Sequence, residues 1–413
     1  MPWFFRMHLL FFPFILLVQI YITASLYLSV KKLFPAWQKL TKISFVASVL
    51  FLNLFPIFLF ILKIFNGYSR LFIFQNSLHF LDYTLLFPYW WGLITAVEIL
   101  PYFIEIDLLL LLAVVIRWRR RELWHSIFPW VKITIIVIFM LYTIFRIYID
   151  TYQVRITNHT VQIKDLPASL QDVKITLIGD IQVDRYTQSN KLKKLEQRIN
   201  QANSELLFFT GDLVTSGQHF IQQGLEFLCQ QTPTAWRFAC MGDHDYWSNS
   251  KKIPAGLKNC GWNFLENNHQ LIEYRGQRIL ITGITHIYSQ QIEAGHLASI
   301  LQNAPQAELK ILLVHQPAPF IVSTAEKYGY HLILGGHTHG GQIQFRPMGF
   351  TVTPSMFETP YYSGLFHTEN SYVVVTNGVG LTLAPVRYRA SAEINVITLT
   401  DIDRTLIVTG SSQ

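Results

Sequence analysis

Four long apolar runs in the first third of the chain constrain its fold more than any other feature. They cover about Leu9–Val30, Ile43–Ile64, Tyr83–Ile116 and Phe128–Tyr148. A backbone in hydrocarbon must satisfy its own hydrogen bonds, and a run of about 20 apolar residues does so as a helix. Residues 1–150 are therefore expected to form about four transmembrane helices. The first run is too long for the core of a cleavable signal peptide and lacks a small-residue cleavage site. The third is longer than one span requires and holds Glu98, Pro101, Glu105 and Asp107. Two paths stay open for it: one tilted, kinked helix, or a helix with a re-entrant piece. Its acids are functional candidates by default, and an interfacial or re-entrant position is the plainer alternative.

The loops carry a topology signal. Lys31, Lys32, Lys39 and Lys42 follow the first run, and Arg117, Arg119, Arg120 and Arg121 follow the third. The loop between the second and third runs is poor in both residue types. With four spans, both basic loops face the cytoplasm, and the N-terminus and the long C-terminal part face outward. This clustering also explains the net charge of +7 without nucleic acid. No basic stripe interleaved with aromatics occurs in the C-terminal part, so a nucleic-acid partner is not expected. The 51% hydrophobic and 14% charged content is too apolar for a wholly soluble chain of 413 residues. Three cysteines, Cys229, Cys240 and Cys260, fit no zinc-finger spacing, leave one unpaired even if a disulfide forms, and do not decide the redox compartment.

From about Thr151 the texture changes. Strand-like runs are expected at Val173–Ile178, Leu206–Phe209, Phe238–Met241, Ile279–Ile284, Ile311–Val314, His331–Leu334, Tyr372–Thr376 and Ile394–Leu399. Leu192, Leu195 and Ile199 recur at helical spacing and predict an amphipathic helix over Lys191–Ala202. The alternation argues for an α/β domain over residues 151–413.

Chemistry-bearing residues sit where these strands stop. Val173–Ile178 runs into Gly179-Asp180-Ile181-Gln182, Leu206–Phe209 into Thr210-Gly211-Asp212, and Phe238–Met241 into Gly242-Asp243-His244-Asp245. Ile311–Val314 runs into His315, and His331–Leu334 into Gly335-Gly336-His337-Thr338-His339-Gly340-Gly341. A lone Gly-Asp after a strand is ordinarily a turn. Turns, however, do not require a carboxylate at three successive strand ends and a His-x-His at another. Ligands of open α/β sheets bind beyond the carboxyl ends of the strands, and neutral imidazole is the commonest protein metal ligand. The pattern points to a metal site.

This order of motifs resembles the calcineurin-like metallophosphoesterases, in particular a bacterial membrane-anchored branch with a Gly-His-Thr-His-Gly-Gly-Gln ending. The resemblance covers about Val154 to Thr400 and includes Thr376-Asn377-Gly378-Val379-Gly380. It implies a four-layer αββα sandwich behind the transmembrane helices, and a two-metal site for hydrolysis of a phosphoester or phosphoanhydride. By the same resemblance, Asp180, Gln182 and His339 hold the first ion, Asp212 bridges, and Asp243, His315 and His337 complete the second. His244 stands beside the scissile phosphate, and Asp245 orients it. The family usually has His at the place of Gln182 and Asn at that of Asp243. Oxygen and imidazole donors without thiolate suit Mn, Fe or Zn, and the two departures favour Mn. The expected substrate is a phosphorylated small molecule or lipid, a phosphodiester among them, and the expected setting is a bacterial inner membrane with the catalytic domain extracytoplasmic. The alternative is a catalytically impaired binding or sensory membrane protein that keeps the fold. Trp236, Tyr246 and Trp247 flank the third motif as rim or core aromatics.

Overall fold

A computed structural model describes residues 3–65, 77–78, 80–116, 121–382 and 384–402. Arg117, Arg119 and Arg120 lie outside the described residues. The chain divides into two compact units. One comprises Met1–Ile149 with Phe345–Val352 and Leu383–Tyr388, and the other Asp150–Gln344, Thr353–Thr382 and Arg389–Gln413.

The first unit holds the apolar helices α1 (Trp3–Leu33), α2 (Gln38–Leu52), α3 (Leu54–Ile64), α4 (Phe87–Val115) and α5 (Arg121–Tyr152). The second run is broken at Asn53, where α2 and α3 meet at 52°. The Asn53 amide bonds the Gln19 side chain and donates to the Val49 carbonyl at 2.7 Å, which gives the interrupted ladder partners. The third run is one helix that continues through Pro101, preceded by a π-turn over Asp82–Leu86. The run therefore forms one helix from Phe87 to Val115. Among the described residues, Leu10–Leu33 and Glu122–Tyr152 are long and apolar enough to cross a membrane, and the α2–α3 pair makes a third if it is one span. That is fewer than the four spans expected; α4 falls short and is the helix that carries Glu98, Glu105 and Asp107. Val18, Ile22 and Leu26 of α1 pack on Ala96, Ile99 and Phe103 of α4, a three-to-four-residue spacing that fits facing helices.

The second unit has two six-stranded mixed sheets. In chain order its elements are β1 (Arg155–Ile163), β2 (Lys174–Ile178), α6 (Ser189–Ala202), β3 (Leu206–Phe209), α7 (Ile221–Gln230), β4 (Trp236–Ala239), α8 (Asp243–Asn249), α9 (Lys252–Asn259), β5 (Asn263–Phe264), β6 (Asn268–Tyr274) and β7 (Gln277–Ile284). They continue with α10 (Ala294–Gln302), β8 (Leu309–Val314), α11 (Pro319–Lys327), β9 (Leu332–Gly335), β10 (Gly364–His367), β11 (Tyr372–Val375) and β12 (Glu393–Asp401). The first sheet runs β1-β12-β2-β3-β4-β5 and the second β10-β11-β9-β8-β7-β6.

Leu177, Phe208 and Phe238 of the first sheet share one buried core with Ile281, Leu313 and Leu334 of the second. The opposite faces are covered by helices. Leu195, Leu228 and Leu257 of α6, α7 and α9 close the first sheet, and Leu297 and Ile321 of α10 and α11 close the second. This is the four-layer αββα sandwich. All eight expected strands form, although β4 starts at Trp236 and stops at Ala239. Within each sheet the central ladders, β2-β3-β4 and β7-β8-β9, are parallel. Parallel strands align their carboxyl ends, so each ladder brings its strand-end residues to one edge.

Candidate metal centre

Asp180 and Gln182 follow β2, Asp212 follows β3, and Asp243 opens α8 after β4. His315 follows β8, and His337 and His339 follow β9. Five of these seven residues take a left-handed backbone: Asp180 (φ 46°), Gln182 (51°), Asp212 (61°), His337 (72°) and His339 (52°). That conformation costs a non-glycine residue about 1–2 kcal/mol. Strain of this kind persists where the surroundings over-determine it, and it gathers at functional sites. The sharp turns let side chains from two sheets reach one point.

Two groups of ligand atoms converge, each within 4.8 Å: Asp243, His315 and His337 in one, Asp180, Asp212 and His315 in the other. His315 Nε2 lies 3.5 Å from Asp212 Oδ2 and 3.4 Å from Asp243 Oδ2, so this imidazole stands between the groups. The resemblance placed it in the second set alone. His337 Nδ1 is 3.0 Å from Asp243 Oδ2. His339 belongs to neither group, but its Nε2 is 3.6 Å from Asp180 Oδ1. The two histidines of the His-Thr-His run therefore face different carboxylates.

The supporting contacts fix which atoms point inward. His315 Nδ1 donates to the Thr210 carbonyl at 2.7 Å, which leaves Nε2 as the lone-pair atom. His337 Nε2 donates to Glu358 at 2.9 Å, which turns Nδ1 toward Asp243. A ring nitrogen held by a carbonyl or carboxylate is the usual way a metal-binding histidine is oriented. The Asp180 carboxylate accepts the His337 amide at 3.0 Å. Asp243 accepts Gln316 Nε2 and the Tyr288 amide, each at 2.6 Å.

Burial raises the Asp180 carboxyl to about 6 despite His315 and His337 nearby. Burial also opposes ionisation of Asp212, yet His315 and His244 outweigh it and hold that carboxyl at about 2. Burial disfavours a charged His337, but bonds to Asp243 and Glu358 lift it to about 9. A buried pocket that draws protons onto its imidazoles has a negative potential, and such a potential attracts cations. Two buried atoms here lack a hydrogen-bond partner: Gln182 Oε1 and His315 Nε2. An unpaired buried polar atom costs about 1–3 kcal/mol. Both atoms are good donors to a divalent ion, so the residues present fit the metals that the motif order implies.

His244 reaches the same centre. Its Nε2 is 4.0 Å from Asp212 Oδ2, and its amide donates to Asp212 Oδ1 at 2.8 Å. The expected pairing of Asp245 with His244 is corrected. Asp245 is fully buried and accepts the amides of Asp212 and Leu213, each at 2.8 Å, and that of Gly242 at 3.3 Å. It knits the β3 turn to the start of α8. The His244 ring is held instead through Nδ1 by the Thr215 carbonyl. Of the three flanking aromatics, Tyr246 packs on the first sheet's helical core and Trp236 on the inter-sheet core. Only Trp247 is exposed. It lies 5.1 Å from the His244 ring and parallel to Tyr288 at 6.4 Å. Sequence reasoning missed Tyr288, Glu358 and Thr215, none of which sits in a motif, and gave no role to Gln316, which follows the strand-end His315.

Residues 173–341 match the model of the Calcineurin-like phosphoesterase family. The chain is 27% identical over 257 residues to the uncharacterized metallophosphoesterase YkuE of Bacillus subtilis, covering 61% of this chain and 87% of that one. It is also 27% identical over 256 residues to a transmembrane protein with metallophosphoesterase domain from Danio rerio. That match covers 59% of this chain and 57% of the fish protein. An uncharacterized metallophosphoesterase of Aquifex aeolicus is 24% identical over 262 residues, covering 61% of this chain and 94% of its own length.

Proposed function

We propose, from the match of residues 173–341 to the Calcineurin-like phosphoesterase family model, that the chain hydrolyses a phosphoester or phosphoanhydride at this centre with two divalent ions. The observation that carries the proposal is His315 Nε2 standing between the Asp212 and Asp243 carboxylates, with Gln182 Oε1 a buried atom that has no hydrogen-bond partner. Both atoms stand among three buried carboxylates, Asp180, Asp212 and Asp243. Asp180, Gln182 and His339 would hold one ion, Asp243, His315 and His337 the other, and Asp212 would serve both. When bound, a pair of such ions polarises the phosphoryl oxygens and lowers the pKa of a water to the range of a neutral-pH nucleophile. Mn is favoured, because the amide oxygen of Gln182 and the extra carboxylate of Asp243 are oxygen donors.

The protein's own contribution is orientation and proton transfer. With Nδ1 bound to the Thr215 carbonyl, the His244 ring presents Nε2 toward Asp212. A protonated Nε2 at that place donates to the leaving oxygen. Trp247 and Tyr288, each 54% exposed, offer an apolar rim for the group attached to the phosphate. A lipid-linked phosphate fits that rim.

Placement of the catalytic domain outside the cytoplasm is part of the proposal. The feature that supports it is the Cys229–Cys260 disulfide, a bond that persists in oxidising compartments. Turnover of bis(p-nitrophenyl) phosphate with added Mn tests the activity. Asp212→Asn should abolish it, and His244→Ala should lower kcat by about 10²–10⁴-fold with metal content unchanged. A well-folded protein without turnover under any divalent ion refutes the proposal.

A further inference from the structure

Within the first unit, α1, α4 and α5 surround a cavity of about 460 Å³. Its walls include Ala24, Leu28, Leu110 and Phe128, and its polar groups include Tyr21, Ser25, Lys32, Asp107, His125 and Lys132. Lys132 is 5% exposed. Its ammonium bonds the Asp107 carboxylate and donates to Ser25 Oγ at 2.6 Å. Tyr21 donates its hydroxyl to the other Asp107 oxygen at 2.6 Å. Lys32 donates to the His125 carbonyl at 2.7 Å.

A half-buried ion pair between apolar helices contributes little net stability, and ionisable groups placed between such helices are functional candidates. An ammonium has three donors. These contacts occupy two on Lys132, whose ammonium also lies 5.5 Å from the centre of the Phe103 ring, and one on Lys32; both lysines line the cavity, as does Asp107, its side chain 38% exposed. Ser25 and Lys32 are seven residues apart on α1, about 10 Å along the axis. That is room for a phosphate head group between the Lys32 and Lys132 ends, with its chain carbons on the apolar wall.

We propose that this cavity is a binding site for a membrane lipid with an anionic phosphate head group. The head group bonds Lys32 and Lys132, and its acyl chain lies on Leu28, Leu110 and Phe128. The free anion is the other source of the same chemistry, but a mostly apolar wall favours an amphiphile. The site is independent of the metal centre, so it stands or fails separately from the catalytic proposal.

The test is equilibrium binding of radiolabelled phosphatidylglycerol to the full chain in neutral detergent, beside phosphatidylcholine and inorganic phosphate. Saturable, near-stoichiometric phosphatidylglycerol binding is expected, at least tenfold tighter than phosphatidylcholine and not displaced by millimolar phosphate. Lys32→Gln, at the exposed mouth, should weaken it by about fivefold, as loss of one lysine–head-group contact does. The double variant Asp107→Asn with Lys132→Met removes both charges together and should erase the head-group preference while the thermal transition stays cooperative. Equal binding of the two lipids, displacement by phosphate, or a preference that survives both variants overturns the proposal. If the double variant does not fold, the Lys32→Gln result decides.

Discussion

Gly336→Ala is the sharpest perturbation of the centre, because it adds one methyl group and removes no ligand. A Cβ on Gly336 would stand 2.5 Å from Asp180 Oδ2 and 2.6 Å from Thr210 Oγ1, whereas real Cβ contacts stay beyond 3.0 Å. The Asp180 carboxylate, or the strand end that carries Gly336, must therefore retreat by at least about 0.5 Å. Metal–ligand distances tolerate only about 0.2 Å. A misplacement near 1 Å at a catalytic group costs about 10²-fold. Expected results are a loss of Mn-dependent diester turnover of about 10–10²-fold, weaker binding of one ion, and a stability loss of only about 1–3 kcal/mol from overpacking. Gly276→Ala is the control. Gly276 has φ +75° with open space around its would-be Cβ, so it should lose about 1 kcal/mol and no metal. Turnover, inductively coupled plasma metal content and denaturant melts on both variants separate the cases. Wild-type turnover and full metal loading in Gly336→Ala would refute the placement of Asp180 in the cage.

Gln182→His replaces an amide oxygen with an imidazole and should shift competitive loading from Mn toward Zn by about tenfold or more; unchanged preference would show that Gln182 is not a ligand. Reduction of the Cys229–Cys260 bond, which spans 31 residues, should lower the stability of the second unit by about 2–4 kcal/mol; identical urea midpoints with and without reductant contradict that. His331 accepts the Lys310 amide at 3.0 Å, and burial, then Lys310, lowers its pKa below 6.5. The unfolded chain thus takes the proton first, so the contribution of His331 is intact above pH 6.5 and is lost as pH falls. Denaturation midpoints at pH 7.5 and 5.5 should differ less in His331→Gln than in the parent, and an equal or larger difference would rule His331 out.

Much of the second unit was legible because buried parallel strands read as short apolar runs. All eight expected strands formed for that reason. The strands that went unread, β1, β6 and β10, have mixed, partly exposed faces, and β5 is only two residues long. The strand-end motifs brought Asp180, Asp212, Asp243, His315 and His337 together because parallel ladders align their ends. Roles that depend on side-chain direction were less legible. Asp245 follows His244 directly, but successive residues at a helix start point apart, so its carboxylate meets backbone amides while a distant carbonyl holds the histidine. Glu358 and Tyr288 reach His337 from loops that only the tertiary fold places. In the first unit, Asn53 interrupts the second apolar run by bonding across to Gln19, a contact no hydropathy pattern reveals.

The central claim is that Asp212 lies between two divalent ions. Crystallographic anomalous scattering from the full chain loaded with Mn measures this directly. Two peaks about 3.5–4 Å apart are expected, one beside Asp180 and His339 and one beside Asp243 and His337, with Asp212 reaching both. A single peak, or none within bonding distance of Asp212, would contradict the account.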